Sequence, residues 1–343
     1  MNAPANLKYF DNRSLLSTLG PLNEYMNDPN VFELRVNRFG QLVCATTKGR
    51  VLIDAPFLTR SYLEKLTNTL LSANGLPRQP VNDVLLPDGS RGVLCWPPAV
   101  LEGTVLIAIR KHLAVDKTLE ELDAEGRFRK LQIRTFADSL KLTPFEEEMT
   151  ALRDRGDITG FLKAAITGKL NVAVAGATGS GKSTFTRTLL KYVPRRERVL
   201  ILEDTHEVGS DDHDEIGYLV YGEQEGRLSA RECLKTTMRL SPDRVFLTEL
   251  RDDAAWDYIK SANTGHPGGI FSTHSNSAAE TPSRIADLVK SSEVGRMLDY
   301  DMILRTIHAT LDLIIYMKDW DVVELLYDPL FKKQNAAREG KKP

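Results

Sequence analysis

Between residues 14 and 28, Leu15, Leu16, Leu19, Leu22 and Met26 recur at near-helical spacing, interrupted by Gly20-Pro21 and stopped by Asp28-Pro29-Asn30. From Val31 the period shortens to two. Residues 31–36 predict a strand, Asn37-Arg38-Phe39-Gly40 a turn, and 41–45 a returning strand, with a third at 50–53. Residues 59–74 are an amphipathic helix, with Leu63, Leu66, Leu70 and Leu71 on one face and Gly75 as its stop. Short strands follow at 84–86, 92–95 and 104–109, separated by Pro87-Asp88-Gly89 and Trp96-Pro97-Pro98. Helix and strand are interleaved without a βαβ rhythm, so this part reads as a small α+β domain, residues 1–110.

Residues 111–142 are charge-rich with few periodic apolar positions and read as a linker carrying at most one short helix. Thr143-Pro144 followed by Phe145-Glu146-Glu147-Glu148 marks a helix start, with acids in the first turn. That helix ends near Gly156, and another spans 158–167. From Asn171 the rhythm is strand, helix, strand, helix. Strands are predicted at 171–175, 199–203, 244–248 and 269–273, and helices at 182–191, 229–239, 254–263 and 283–290. The fold class is α/β, a buried, mostly parallel sheet over residues 143–330 behind the smaller α+β domain. Residues 311–317 and 322–327 read as a closing antiparallel pair around Lys318-Asp319-Trp320-Asp321, and 331–343 as a basic, disordered tail.

Composition narrows the classes. A chain of 343 residues has room for two domains. Its net charge of −2 gives no signal for non-specific nucleic-acid binding. Cys44, Cys95 and Cys233 are scattered and include no C-x-x-C pair, which fits a reducing compartment and indicates neither a zinc knuckle nor a disulfide framework. No apolar run approaches membrane-spanning length, the best stretch, residues 311–317, being strand-sized, and residues 1–10 lack a signal-peptide pattern.

The chemistry centres on Gly176-Ala177-Thr178-Gly179-Ser180-Gly181-Lys182-Ser183-Thr184, which fits the phosphate-binding loop G-x-x-x-x-G-K-[ST]. It lies between a β-branched run and a stretch of good helix formers, the context the motif needs. Glycines let successive N–H groups converge on one anion, and the helix N-terminus adds partial positive charge. Lys182 is expected at the β- and γ-phosphates and Ser183 at Mg²⁺. The glycine spacing does not fit the dinucleotide fingerprint. No Asn-Lys-x-Asp occurs, so ATP is favoured over GTP.

Three more stretches end predicted strands, where open α/β sheets place their ligands. Leu200-Ile201-Leu202-Glu203-Asp204-Thr205-His206-Glu207 delivers two carboxylates. Arg244-Val245-Phe246-Leu247-Thr248-Glu249 delivers another. Thr264-Gly265-His266-Pro267-Gly268-Gly269 and Phe271-Ser272-Thr273-His274 flank one strand with histidines. Glu249 or Glu203 is expected to hold a Mg²⁺ water or to orient the attacking water, His274 to meet the γ-phosphate, and His266 to anchor its turn.

Taken in order, GATGSGKST, ILEDTHE, LSPDRVFLTELRD and NTGHPGGIFSTHS resemble the secretion ATPase superfamily, whose members call these motifs Walker A, Asp box, Walker B and His box. Residues 22–37, Leu86-Pro87-Asp88-Gly89-Ser90-Arg91 and Ile107-Ala108-Ile109-Arg110-Lys111 resemble its type IV secretion branch, as do the Glu-Asp-Thr of the Asp box and the missing four-cysteine module. Thr248 departs from the usual glycine. The resemblance implies a RecA-like P-loop domain and a hexameric ATPase powering type IV secretion. It further implies a cytoplasmic location against the inner membrane, with membrane components and a coupling ATPase as partners. It also implies that Arg110, and a second arginine among Arg127, Arg129 and Arg134, reach the phosphates. Arg239 is a weaker candidate for an interface residue. The simpler reading of Arg110 is a salt bridge at a strand end. A type II secretion or pilus ATPase, a slow nucleotide-dependent assembly switch and a DNA pump are the competing functions.

Overall fold

The structure is a computed structural model that describes residues 12–112, 117–133, 135–224 and 226–339. Its first part runs α1 (Asn12–Leu19), α2 (Asn23–Asn27), β1 (Val31–Val36), β2 (Gln41–Thr46), β3 (Gly49–Asp54), α3 (Arg60–Asn74), β4 (Val81–Leu85), β5 (Arg91–Cys95) and β6 (Leu106–Arg110). These strands form an antiparallel sheet in the order β3-β2-β1-β6-β5-β4. Helix α3 begins where the Thr59 hydroxyl accepts from the Tyr62 N–H, 3.2 Å away, and ends at Gly75 in the left-handed conformation. Its leucines and those of α1 cover one face of the sheet.

The second part runs α4 (Leu119–Ala124), α5 (Pro144–Asp154), α6 (Ile158–Thr167), β7 (Val172–Gly176), α7 (Lys182–Leu190), β8 (Val199–Glu203), β9 (Ile216–Val220), α8 (Ala230–Arg239) and β10 (Arg244–Leu247). It continues with α9 (Asp252–Asn263), β11 (Ile270–Thr273), α10 (Thr281–Ser291), α11 (Glu293–Arg296), α12 (Tyr300–Thr310), β12 (Leu313–Lys318), β13 (Asp321–Leu326) and α13 (Pro329–Glu339). The sheet order is β13-β12-β7-β11-β10-β8-β9, parallel except for the β12–β13 hairpin. Strand β7 is buried on both faces, which is why it reads as a continuous apolar run. Val172 and Val174 point into a core with α5 and α6, while Ala173 and Ala175 point into a second core with α8, α9, α10 and α12.

The α/β class and the parallel sheet agree with the sequence reading. The sequence reading did not include β9, whose short run is interrupted by Gly217, nor α12. Residues 329–339 form a helix instead of a disordered tail. Asp328 caps it by accepting from the Phe331 N–H at 2.9 Å, Lys332 pairs with Asp312 at 2.5 Å, and Asn335 is buried. The basic residues that suggested a solvated tail therefore anchor it.

The two sheets share a core. Val93, Cys95, Leu106 and Ala108 of the first pack with Leu200, Leu219, Tyr221 and Cys233 of the second part. Beside this layer lies a buried ion network. Arg35 contacts Glu33 at 2.6 Å and Glu215 at 3.1 Å, and Arg198 reaches Glu215 at 3.0 Å. Arg50 adds contacts to Glu215 and Asp243. Pairing is what makes these charges tolerable away from water.

Candidate active site

A cavity of about 910 Å³ opens at the C-terminal ends of β7, β10 and β8. Thr178, Gly179, Gly181, Lys182, Ser183 and Thr184 form one wall; Asp204, Thr205, His206 and Glu207 form another, with Thr248, Glu249, Ser272, His274, Arg187 and Trp320 completing it. Gly176 does not line the cavity, but it fixes the loop's path. It has φ +151°, and a Cβ there would lie 2.3 Å from the Met317 carbonyl oxygen. Ala177 lines a neighbouring hollow with His274, and Ser180 is buried beneath the loop. Helix α7 starts at Lys182, so its first N–H groups have no intrahelical acceptor and face the cavity end.

The Lys182 ammonium donates to the carbonyls of Gly176 and Ala177 at 2.9 and 2.7 Å. Burial pushes its pKa down, and the Glu249 carboxylate opposes that shift. Glu249 is one-third exposed. Its carboxylate lies 3.3 Å from His274 Nε2 and accepts from Arg251 Nη2 at 3.0 Å. The same Arg251 nitrogen donates to Asp204 at 2.6 Å. Burial lowers the Arg251 pKa and its bond to Glu249 raises it, with the rise winning. Arg251 thus joins the ends of β8 and β10, a role that the motif spacing did not reveal. Thr248 lines the cavity while its hydroxyl donates to the Leu202 carbonyl at 3.2 Å, so the departure from glycine is absorbed by the neighbouring strand.

Glu203 is placed differently from expectation. It is 1% exposed and does not line the cavity. One oxygen accepts from the N–H groups of Glu207 and Val208 at 3.0 and 2.8 Å, and the other lies 2.7 Å from His206 Nδ1. It shares the side of β8 that carries Val199 and Ile201, facing α7 and not the ligand. Asp204, one residue on, turns outward.

Arg110 is also elsewhere. It donates to the Ser241 hydroxyl at 2.5 Å and lies 3.6 Å from Glu33. Ser241 precedes β10, whereas Glu249 follows it, so Arg110 sits at the opposite edge of the sheet from the cavity. It lines a separate hollow of about 610 Å³ with Asp83, Arg91 and Arg239, and Arg239 pairs with Asp83 across the seam. Arg127 pairs with Glu125, and neither it nor Arg129 lines the phosphate cavity. Arg134 lies outside the described residues. The turn before β11 is anchored not by His266 but by Asn171, which accepts from the Gly268 N–H at 2.9 Å and donates to the Thr310 carbonyl at 3.0 Å.

With this geometry in place, comparison with known proteins decides the family. Residues 128–318 match the family model described as "Type II/IV secretion system protein". The chain is 32% identical to the type IV secretion system protein VirB11 of Brucella suis biovar 1, over 94% of this chain and 93% of that protein. The chain belongs to the type II/IV secretion system protein family. Protein VirB11 of Agrobacterium tumefaciens is 31% identical, with 94% of each chain covered. The crystal structure of the Brucella suis VirB11 ATPase in complex with sulphate superposes with a TM-score of 0.87 at 31% identity, covering 94% of this chain and 97% of that one. The relatedness extends across both sheets, and the function is that of a nucleotide-binding ATPase of type IV secretion. Among the described residues no helix is long and apolar enough to cross a membrane.

Proposed function

We propose that the chain works as a homohexameric motor whose ATP site is the cavity around Lys182. The observation that carries this reading is the placement of Lys182 on one wall and Glu249 with His274 on the other, at the strand ends where such sheets bind ligands. The loop amides and Lys182 bind phosphate oxygens, Lys182 leaving its carbonyl partners to do so. Glu249 holds the attacking water and accepts its proton, Arg251 and His274 fix its orientation, and His274 contacts the γ-phosphate. Mg²⁺ suits the donors present: Ser183 and Glu249 supply a hydroxyl and a carboxylate, the partial set this ion accepts when phosphate oxygens and waters complete its shell. Glu203 is held by its own loop and buried away from the cavity, so we assign it no ligand role. When bound, the ion would neutralise developing phosphate charge.

Because Arg110 faces away from its own chain's cavity, we assign it to the nucleotide of a neighbouring copy, which supports a ring. Its side chain is 61% exposed, and meeting such a neighbour would take it from Ser241 and Glu33. The boundaries we propose remain 1–110, 111–142 and 143–330, with α13 added to the last unit. Inner-membrane secretion components and a coupling ATPase are the proposed partners, with peripheral attachment at the cytoplasmic face. The test is Lys182→Ala: phosphate release should be abolished while the unfolding temperature stays unchanged. Retained turnover would refute the site.

A further inference from the structure

Strands β12 and β13 are joined by the tightest possible hairpin. Lys318 pairs with Asp321, leaving Asp319 and Trp320 as the loop. Both have positive φ, +50° and +73°. A two-residue hairpin with this pattern favours Asn-Gly or Asp-Gly, because a bulky side chain at positive φ clashes with its own backbone. Trp320 is an unfavourable choice for the turn. It is also 65% exposed, so core packing does not explain it.

What the indole touches is the phosphate loop. A Cβ added to Gly181 would lie 3.1 Å from its Cε3 and 3.4 Å from its Cδ2. Among the described residues lining the cavity, Trp320 supplies the one large apolar side chain; the others are glycine, hydroxyl, charged or imidazole groups. Sheet order then gives the cavity a direction. Strand β7 delivers the loop, with β11 and β10 on one side carrying His274 and Glu249, and β12 on the other carrying Trp320. A nucleotide whose terminal phosphate points toward Glu249 has its base end directed toward β12.

We propose that Trp320 is the surface on which the purine of the bound nucleotide stacks. This rests on the nucleotide reading above and extends it to the base. An indole offers a π-face to any purine, so the contact supplies affinity without discriminating adenine from guanine. The strain of the turn is retained because it holds the ring over the loop.

The test uses the full chain and equilibrium binding of ADP, GDP and inorganic tripolyphosphate, which has no base. Trp320→Ala should weaken ADP and GDP by about five- to a hundredfold, the range for losing one stacked base, and leave tripolyphosphate unchanged. Trp320→Phe should lose less than about fivefold, since it keeps a π-face. Trp320→Gly should match the alanine variant in affinity yet unfold at the same or a higher temperature, because glycine suits the turn. Unchanged ADP binding in Trp320→Ala would overturn the proposal. Equal losses of ADP and tripolyphosphate would also overturn it, since they would make Trp320 a support of the loop. Failure of the underlying reading looks different: the wild type would bind none of the three ligands, or Lys182→Ala would bind them as the wild type does.

Discussion

Glu203→Gln and Glu249→Gln should behave oppositely. In Glu203→Gln the remaining carbonyl oxygen can keep both backbone N–H partners, Glu207 and Val208, and the new amide can donate to His206 Nδ1 in the tautomer protonated at Nε2. What is lost is the charge assistance of these bonds, about 1–2 kcal/mol in all. Glu203→Ala is harsher. It strands two N–H donors at about 1–3 kcal/mol each, so the unfolding temperature should fall by about 3–8 °C. Glu249 is more exposed and bonds only Arg251 and His274, so Glu249→Gln should change stability by less than about 1 kcal/mol. Its turnover should nevertheless fall by about 10²- to 10⁴-fold, the usual contribution of a positioned base. Initial rates of phosphate release, measured well below the unfolding temperature and paired with calorimetric scans, separate the two. Turnover lost in Glu203→Gln at unchanged unfolding temperature, with Glu249→Gln still active, would refute the assignment.

Arg251→Ala should lower turnover by about tenfold to a hundredfold, because it frees Glu249 and leaves Asp204 facing it unpaired; Arg251→Lys should recover part of that, and wild-type rates in the alanine variant would refute the bridge. Subunits carrying Arg110→Ala and Lys182→Ala should each be inactive alone and regain turnover when mixed, since one supplies the loop and the other the arginine; no recovery would confine Arg110 to the seam. His308 packs edge-on against Phe331, with ring centroids 5.0 Å apart, and burial lowers its pKa. Its neutral form therefore stabilises the docking of α13 in full above about pH 6.5, the unfolded value. That contribution is lost as pH falls through the lowered folded value. The unfolding temperature should drop as pH falls below about 6.5, and His308→Leu should flatten the drop; an unaltered slope would exclude His308 as a contributor.

Much of this was legible in the chain. The loop at 176–184 carries its own context, and the register that sets β11 beside β7 brings His274 to it, as the strand pattern implied. The outcome at 203 and 204 was not legible. Neighbouring residues leave a strand on opposite sides, and β8 is apolar on both faces, so alternation does not say which carboxylate looks outward. Where Arg110 lies was not legible either, because its position depends on how the first sheet docks, a contact between distant residues that no local pattern encodes. Helix α13 did carry a signal: Asp328-Pro329 is an N-cap followed by proline at the first helical position, outweighed at the sequence level by the basic composition after it.

The buried charges between the sheets bear on how this chain can be re-engineered. Glu33 and Arg35 come from β1, Arg198 and Glu215 from the far side of the seam, and Arg35 and Arg198 meet on Glu215, which Arg50 also reaches. A chimera grafting the first 110 residues of a relative onto the remainder of this chain would import or delete half of that set. Unless the donor carries matching charges, the junction would bury an unpaired ion, at a cost of about 3–5 kcal/mol. Positions 33, 35, 198 and 215 are therefore expected to drift as a group, and a successful domain exchange must move all of them together.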